Sequence, residues 1–318
     1  MSYREADLSR LKTVPIAGRA NKVEERFLAR PPGSDLSFHA FLDSLPDILA
    51  ARDLRTVIDH IAQANRSSRG VMLLLGGHVI KVGLGPLLRE WIARGIVTHI
   101  AMNGAAAIHD FELAAYGGTS EDVAEGLGDG SFGMAEETGT EMNAAISAAA
   151  RENRGLGEGL AGYLAGRKNN PGAAASLLLA CHEREVPVTV HPAIGAEIIH
   201  QHPKVDGAAL GATAIRDFRR LAGSVSSLDQ GGAVLNCGSA VIMPEVFLKA
   251  LTIARNLEQG KPTHFLAADL DMQRHYRPRV NVVQRPTEAG GIGIQLTGHH
   301  ELMIPLLVWG VLDRLAAR

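Results

Sequence analysis

Short apolar runs alternate with longer amphipathic stretches along this chain, and the alternation predicts its secondary structure. Val71–Leu75 is the first such run and is closed by two glycines, as expected for a strand buried on both faces. A helix should begin near Pro86 and end at Gly95, and residues 96–102 should form a second strand. This βαβ unit would place two small-residue loops at the carboxyl ends of neighbouring parallel strands, where open α/β sheets bind their ligands.

The remaining pattern extends this unit into a whole domain. Further strands are predicted at residues 186–190, 233–237, 264–268 and 292–296, with helices at 135–152, at 173–183 and from about 301. Ser120 and Thr213 are predicted as helix caps, and residues 270–291 as a long loop. Strands that alternate with helices predict a doubly wound, mostly parallel sheet in a single α/β domain at residues 36–318. Residues 1–35 are polar and carry a Pro-Pro-Gly stretch, which predicts an N-terminal arm.

Composition narrows the class of protein. With 318 residues and 46% hydrophobic content the chain can bury a full core, and a net charge of -2 with both signs dispersed argues against a nucleic-acid partner. Cys181 and Cys237 lie in apolar segments and suit core packing in a reducing compartment. The N-terminus lacks the apolar region of a signal peptide, and no later run reaches membrane-spanning length. We therefore expect a soluble cytoplasmic protein with neither membrane nor nucleic-acid partners.

Two motif matches are rejected on their context. Residues 128–133 (GDGSFG) have the dinucleotide spacing G-x-G-x-x-G, but no strand precedes them to deliver the glycines to a helix. They predict a flexible loop instead. Residues 299–301 (HHE), with His275 and Asp271 upstream, match no standard metal-ligand spacing, so no metal is predicted.

Several segments resemble deoxyhypusine synthase. Residues 285–294 (RPTEAGGIGI) resemble its R-P-D-E-A-x-x-W-G-K segment, and residues 102–111 (MNGAAAIHDF) resemble its T-T-A-G-G-x-E-E-D-F; weaker likenesses are at 187–194 (PVTVHPAI), 238–242 (GSAVI) and 304–307 (IPLL). The resemblance implies a Rossmann-like, NAD-binding fold and a homotetramer or dimer with sites at the interface. It also implies chemistry that oxidises spermidine and moves its aminobutyl group.

The departures from that family bear directly on the reaction. The lysine that carries the aminobutyl group as an imine falls on Ile294, and the substrate-stacking tryptophan falls on Ile292. The lysine-histidine pair falls on Met243 and Pro244, and an aspartate that contacts nucleotide and substrate falls near Ala196. Because isoleucine cannot form an imine, the chain is not expected to be a true deoxyhypusine synthase or a homospermidine synthase.

A nucleotide site is predicted at the strand ends. The candidate NAD-binding residues are Gly76, Gly77, His78, Asn103, Gly104, Ala105, Gly238, Ser239, Asp269 and Glu288. Small residues let backbone N–H groups approach a pyrophosphate at a helix N-terminus. Alternatively, the glycines make only the tight turns that every α/β protein needs. The second strand also ends without the acidic residue that holds a ribose in Rossmann proteins.

Three residues beside these loops are predicted to be catalytic. His109 next to Asp110 could work as a general acid or base near neutral pH, although Asp110 and Glu112 could merely favour the start of a helix. Lys81 could replace the missing amine or bind phosphate, although it could be a solvated loop residue. Glu136 and Glu137 resemble a capping pair for the following helix, although a flexible glycine-rich loop in front could carry them over the site.

Three functional hypotheses follow. The first is an enzyme of deoxyhypusine synthase-like fold that keeps a nucleotide pocket and acts on a small amine or amino-acid-like substrate. The second is a non-catalytic NAD- or ligand-binding protein. The third, more remote, is a polyamine aminobutyl transferase that uses Lys81.

Overall fold

The computed structural model of the protein describes residues 3–258 and 260–316. Within them, six parallel strands form one sheet: β1 Val71–Leu75, β2 His99–Asn103, β3 Val188–His191, β4 Ala233–Cys237, β5 Leu266–Asp271 and β6 Ile292–Thr297. Their order is β3-β2-β1-β4-β5-β6. The chain moves outward from β1 through β2 to β3 and then crosses back to place β4 on the other side of β1. The reversal creates a topological switch point between β1 and β4, where doubly wound proteins bind ligands.

Helices cover both faces of the sheet. Those described are α1 Phe38–Ser44, α2 Leu49–Arg66, α3 Gly77–Lys81, α4 Gly85–Ala93, α5 Gly104–Tyr116, α6 Val123–Asp129, α7 Glu136–Arg151, α8 Leu156–Gly166, α9 Leu177–Glu183, α10 Gly207–Ser224, α11 Ile242–Leu257 and α12 His300–Ala316. On one face a large core includes the buried rings of Trp91 and Phe111. On the other, α10 and α11 enclose a smaller core around Phe247 and Phe265. The predicted doubly wound, parallel α/β domain is confirmed.

The structure corrects both predicted helix caps. Asp122 caps α6, and Asp206 caps α10, each accepting two backbone N–H bonds from the first turn. Ser120 lies outside the helix with φ of 71°, and Thr213 lies within α10, where its hydroxyl bonds to carbonyls of the preceding turn. An aspartate one position before the true helix start satisfies two unpaired donors, which a residue in mid-helix cannot do.

Other differences concern elements with weak sequence signals. The short helix α3 and the glycine-rich α8 were not predicted, and the segment at 270–291 is not a plain loop. It contains a π-helical turn at Pro278–Gln284 and a 3-10 turn at Arg285–Thr287. The π turn is ordered because Val282 is buried in the smaller core.

The first part of the described chain is extended and open. Its 3-10 turns at Leu8–Arg10, Ile16–Gly18 and Glu25–Phe27 contain no buried side chain. Across the described residues, no helix combines the length and apolar character needed to cross a membrane.

Candidate functional site

The loops after β1 and β4 touch at the switch point. The Gly76 amide donates to the Cys237 carbonyl at 2.9 Å, and a Cβ at position 76 would lie only 2.0 Å from the Gly238 carbonyl oxygen. Gly238 has φ of 69°, in the left-handed region that favours glycine. Since any larger residue would collide or be strained, backbone rather than side chains forms this contact.

Two histidines lie beside this contact. The ring of His78, in the first turn of α3, lies 5.4 Å from that of buried His300, at the start of α12. Since a carbonyl only accepts, His300 donates from Nε2 to the Leu270 oxygen at 3.0 Å, while its Nδ1 has no partner within the described residues. A Cβ at Gly238 would lie 3.0 Å from the His300 ring. The structure therefore brings together the predicted residues of this loop pair, including Ser239, whose hydroxyl accepts from the Met243 amide in the first turn of α11.

The residues of the loop after β2 differ from one another in their roles. The Asn103 side chain accepts from the Ala106 amide at 2.9 Å and so caps α5. A Cβ at Gly104 would lie 2.3 Å from the carboxylate of Glu197, so glycine makes room for that buried acid. Of the three predicted residues in this loop, Ala105 lines a cavity.

That cavity, of about 460 Å³, lies between α5, α6, the start of α7 and the loop after β3. Apolar walls come from side chains such as Ile108 and Phe132. Its ionisable lining is mainly acidic and consists of Glu112, Glu121, Glu137 and Glu197, with Lys81 and His109. A concave, largely apolar space with a few convergent polar groups is typical of small-molecule sites.

His109 is the central ionisable group of the cavity. Burial, and secondly the charge of Lys81, lower the pKa of His109 to about 4, so the imidazole is neutral near pH 7. Nδ1 lies 2.7 Å from the Thr119 hydroxyl, which donates to Glu112 at 2.5 Å. The second oxygen of Glu112 accepts from Thr138 at 2.9 Å. Nε2 of His109 has no hydrogen-bond partner in the described part of the chain.

Asp110 does not belong to this site. Its side chain is fully buried on the other side of α5, where it accepts from the Ser176 hydroxyl at 2.7 Å and from the Leu177 and Leu178 amides at 2.7 and 3.0 Å. These bonds satisfy the start of α9. The structure thus places the Asp110 carboxylate at the start of α9 and not among the residues that line the cavity.

Lys81 lies at the rim of the cavity. It is the last residue of α3 and is exposed, rather than being part of a loop as predicted. Glu137 lines the cavity from the first turn of α7. The two residues give the lining opposite charges.

On the other side of the switch point, the carboxylate of Asp269 is hydrogen-bonded within the sheet. It accepts from Asn236 on β4 at 2.9 Å and from Gln295 on β6 at 3.3 Å. Burial raises the pKa of Asp269 to about 6. Both oxygens are thus used within the sheet.

Two residues aligned with the family's site lie away from it. Glu288 precedes β6 and is exposed, so it lies at the amino edge of the parallel sheet, opposite the loops that follow β1 and β4. The structure does not bring Glu288 together with those loops, and its contact with a nucleotide stays a prediction. Ile294, in the middle of β6 beside Ala268, is 7% exposed and belongs to the larger core.

Histidine and acidic residues elsewhere also have structural partners. His191 ends β3 and lies 3.0 Å from the Thr189 hydroxyl, and burial lowers its pKa to about 3. His299 lies in an exposed contact with Glu301. Among residues 3–258 and 260–316, no three His, Cys, Asp or Glu side chains are arranged to hold a metal ion.

Comparison with known proteins relates the fold to solved structures. No family model matches the sequence, and no curated protein matches it. The structure is similar to a deoxyhypusine synthase candidate from Entamoeba histolytica, with a TM-score of 0.52 and 11% identity over 89% of this chain and 97% of that one. It is also similar to a LOR/SDH protein candidate from Methanococcus maripaludis S2, with a TM-score of 0.51 and 16% identity over 89% and 74% of the two chains.

A third similar structure is the ternary complex of AgrE with ornithine and NAD+. Its TM-score is 0.51 and its identity 14%, over 85% of this chain and 35% of the AgrE chain. The present chain therefore spans about a third of AgrE. At these identities the likeness establishes the fold, and the deoxyhypusine synthase-like α/β fold that the sequence predicted is confirmed.

Proposed function

We propose that the protein binds NAD at the carboxyl ends of β1 and β4 and acts on a small amine or amino-acid-like substrate in the neighbouring cavity. The observation that carries this proposal is the contact between the cavity lining and the segment that follows β1. The His109 ring, which lines the cavity, lies 3.1 Å from where a Cβ of Gly77, the first residue of α3, would be. A ligand in the cavity would therefore lie close to one bound at the end of β1.

Charge supports an amine as the substrate. Four glutamates and one lysine line the cavity, so a cationic ligand is electrostatically favoured there. Tyr116 and Phe132 add aromatic surface that suits an ammonium group or its alkyl chain.

The chain's own residues suit proton removal from such a substrate. His109 is neutral at pH 7, because its pKa is about 4, and its unpaired Nε2 is therefore available as the proton acceptor. When bound, NAD would supply a hydride acceptor. The glycine-only contact of Gly76 with Gly238 and the unpaired Nδ1 of buried His300 fit a site for its polar groups.

One observation favours the second candidate, a non-catalytic NAD- or ligand-binding protein. The position of the family's lysine is occupied by Ile294 in the core, so no imine forms there. Aminobutyl transfer is the remote alternative, since it would require exposed Lys81 as the amine.

Ligand binding tests the first proposal. Thermal unfolding should be measured with NAD, NADP, nucleosides and polyamines, because a ligand at a hundred times its Kd stabilises the folded state by about 2.7 kcal/mol. We expect NAD to raise the Tm and His78→Ala to reduce that shift, while His182→Ala, an exposed residue of α9, leaves it unchanged. No shift with any dinucleotide would contradict NAD binding.

Absorbance of NADH separates the catalytic from the non-catalytic candidate. Spermidine should produce no NADH. An amine or amino acid that is a substrate should produce NADH with the wild type and none with His109→Gln. If NAD binds and no amine or amino acid yields NADH, the protein is the non-catalytic NAD-binding candidate.

We also propose that the chain forms a homo-oligomer. Apolar side chains of the N-terminal arm are exposed, among them Leu8 (68%), Leu11 (69%) and Val14 (78%). Burial against a second copy would stabilise them. Light scattering of the full chain tests this, and a monomer at all concentrations would contradict it.

A further inference from the structure

The geometry points to Thr119 as a positioning residue: its hydroxyl, held by Glu112, keeps the His109 proton on Nδ1 and leaves Nε2 as the base that faces the cavity. This inference rests on the role of His109 in the proposed function. The sequence gives no sign of it, because Thr119 lies in a Gly-Gly-Thr-Ser stretch without other chemical signals.

The direction of each hydrogen bond follows from the number of protons available. A carboxylate accepts and does not donate, and Glu112 receives one bond from Thr119 and one from Thr138. The Thr119 hydroxyl has a single proton, which this bond to Glu112 uses. Its oxygen can therefore only accept from His109, so Nδ1 must carry the ring proton.

The consequence appears at the other ring nitrogen. With Nδ1 protonated, a neutral imidazole has its lone pair on Nε2, which has no partner in the described residues. The opposite tautomer would present an N–H to the cavity and could not remove a proton. Thr119 thus decides whether His109 is a base or a donor.

The bridge through Thr119 requires the loop that follows α5. His109 and Glu112 are three residues apart on one face of α5, and no bond joins their side chains directly. The loop returns over them between Gly117 and Ser120, which have φ of 80° and 71°. Further along, Glu121 accepts from the Gly133 amide at 2.9 Å and ties the loop to the segment after α6.

The ring nitrogens can be observed directly by NMR. Histidine ring 15N and 13Cδ2 shifts, recorded on labelled protein without ligand, report which nitrogen carries the proton; the signal among 13 histidines is assigned with His109→Asn. We expect the wild type to show Nδ1–H alone. Thr119→Val, which removes the hydroxyl but keeps the shape, should lose this pattern in favour of Nε2–H or a mixture.

Two controls separate positioning from general disturbance. Thr119→Ser keeps the hydroxyl and should restore Nδ1–H, and Thr138→Val, which removes the other bond to Glu112, should leave it in place. If Thr119→Val fails to fold, Glu112→Leu should produce the same loss, because the Thr119 proton is then free to turn toward Nδ1.

Persistence of the Nδ1–H form in both Thr119→Val and Glu112→Leu would overturn the inference, as would its loss in Thr119→Ser. Since the measurement needs no ligand, its outcome is independent of NAD binding. Failure of the thermal shift would remove the proposed function alone.

Discussion

The ionisable groups on the two sides of the switch point differ in their hydrogen bonding and in their access to a cavity. Beside α5, His109 uses Nδ1 for a bond within the protein and leaves Nε2 open to a cavity. On β5, each oxygen of Asp269 accepts a side-chain amide of a neighbouring strand, and the residue is only 2% exposed. The difference shows that proximity to the carboxyl edge is insufficient for function. A polar group can serve a ligand only where the fold leaves one of its atoms unpaired and accessible.

The largest expected effect tests this contrast within α5 itself. Asp110 follows His109 directly but is fully buried, holding one hydroxyl and two amides at the start of α9. Asp110→Ala should lower the free energy of unfolding by about 4 kcal/mol, because it leaves three buried donors without an acceptor. Urea unfolding measures the loss.

Asp122→Ala is the matched control. The two amides that Asp122 accepts are exposed to water, so a loss of about 1 kcal/mol is expected. Equal losses would contradict the assignment of Asp110.

The next effect concerns the buried carboxylate on the far side. The pKa of Asp269 is about 6 in the folded state and is ordinarily 3.8, so the folded protein binds more protons between these values. Stability from this group is therefore lost as the pH rises from about 4 to about 6. Asparagine cannot titrate, so the stability of Asp269→Asn relative to wild type should increase by roughly 3 kcal/mol between pH 4 and pH 7.

Only the difference in the free energy of unfolding between Asp269→Asn and the wild type isolates the contribution of Asp269. The buried histidines His99 and His191 have pKa values of about 3, well below 6.5, because burial disfavours their charged forms. The unfolded chain then binds more protons between pH 3 and 6.5, so their contribution to stability rises with pH and opposes that of Asp269. Urea unfolding at several pH values is the measurement. A constant difference between Asp269→Asn and wild type would contradict the raised pKa.

The smallest expected effect concerns Lys81. Its charge is the second cause, after burial, of the lowered pKa of His109. Lys81→Met should therefore raise that pKa but leave it below the ordinary 6.5, because burial persists. An NMR titration of the His109 ring measures it, with Lys168→Met, an exposed lysine outside the cavity, as the control. A rise to the ordinary value of 6.5 would show that charge, not burial, keeps His109 neutral.

Much of the fold could be predicted from local sequence, but the site could not. Residues 71–75 and 233–237 were predicted at their observed bounds because strands buried on both faces are continuous apolar runs. The helix α8 was missed because glycine and alanine give it little amphipathic contrast. Of the catalytic predictions, His109 and Lys81 line the cavity, whereas Asp110 faces the core.

The sequence by itself determined the alternation of strands and helices, the doubly wound class and the loss of the lysine at position 294, because these depend on residue type and local spacing. Tertiary structure decided which atoms are free. The approach of Gly76 to Gly238, the contact of Glu197 with α5 and the return of Thr119 over His109 join segments that are distant in the chain or separated by a turn. Hydrogen-bond pairing and burial, which set the pKa and tautomer of each group, exist only once those segments have packed together.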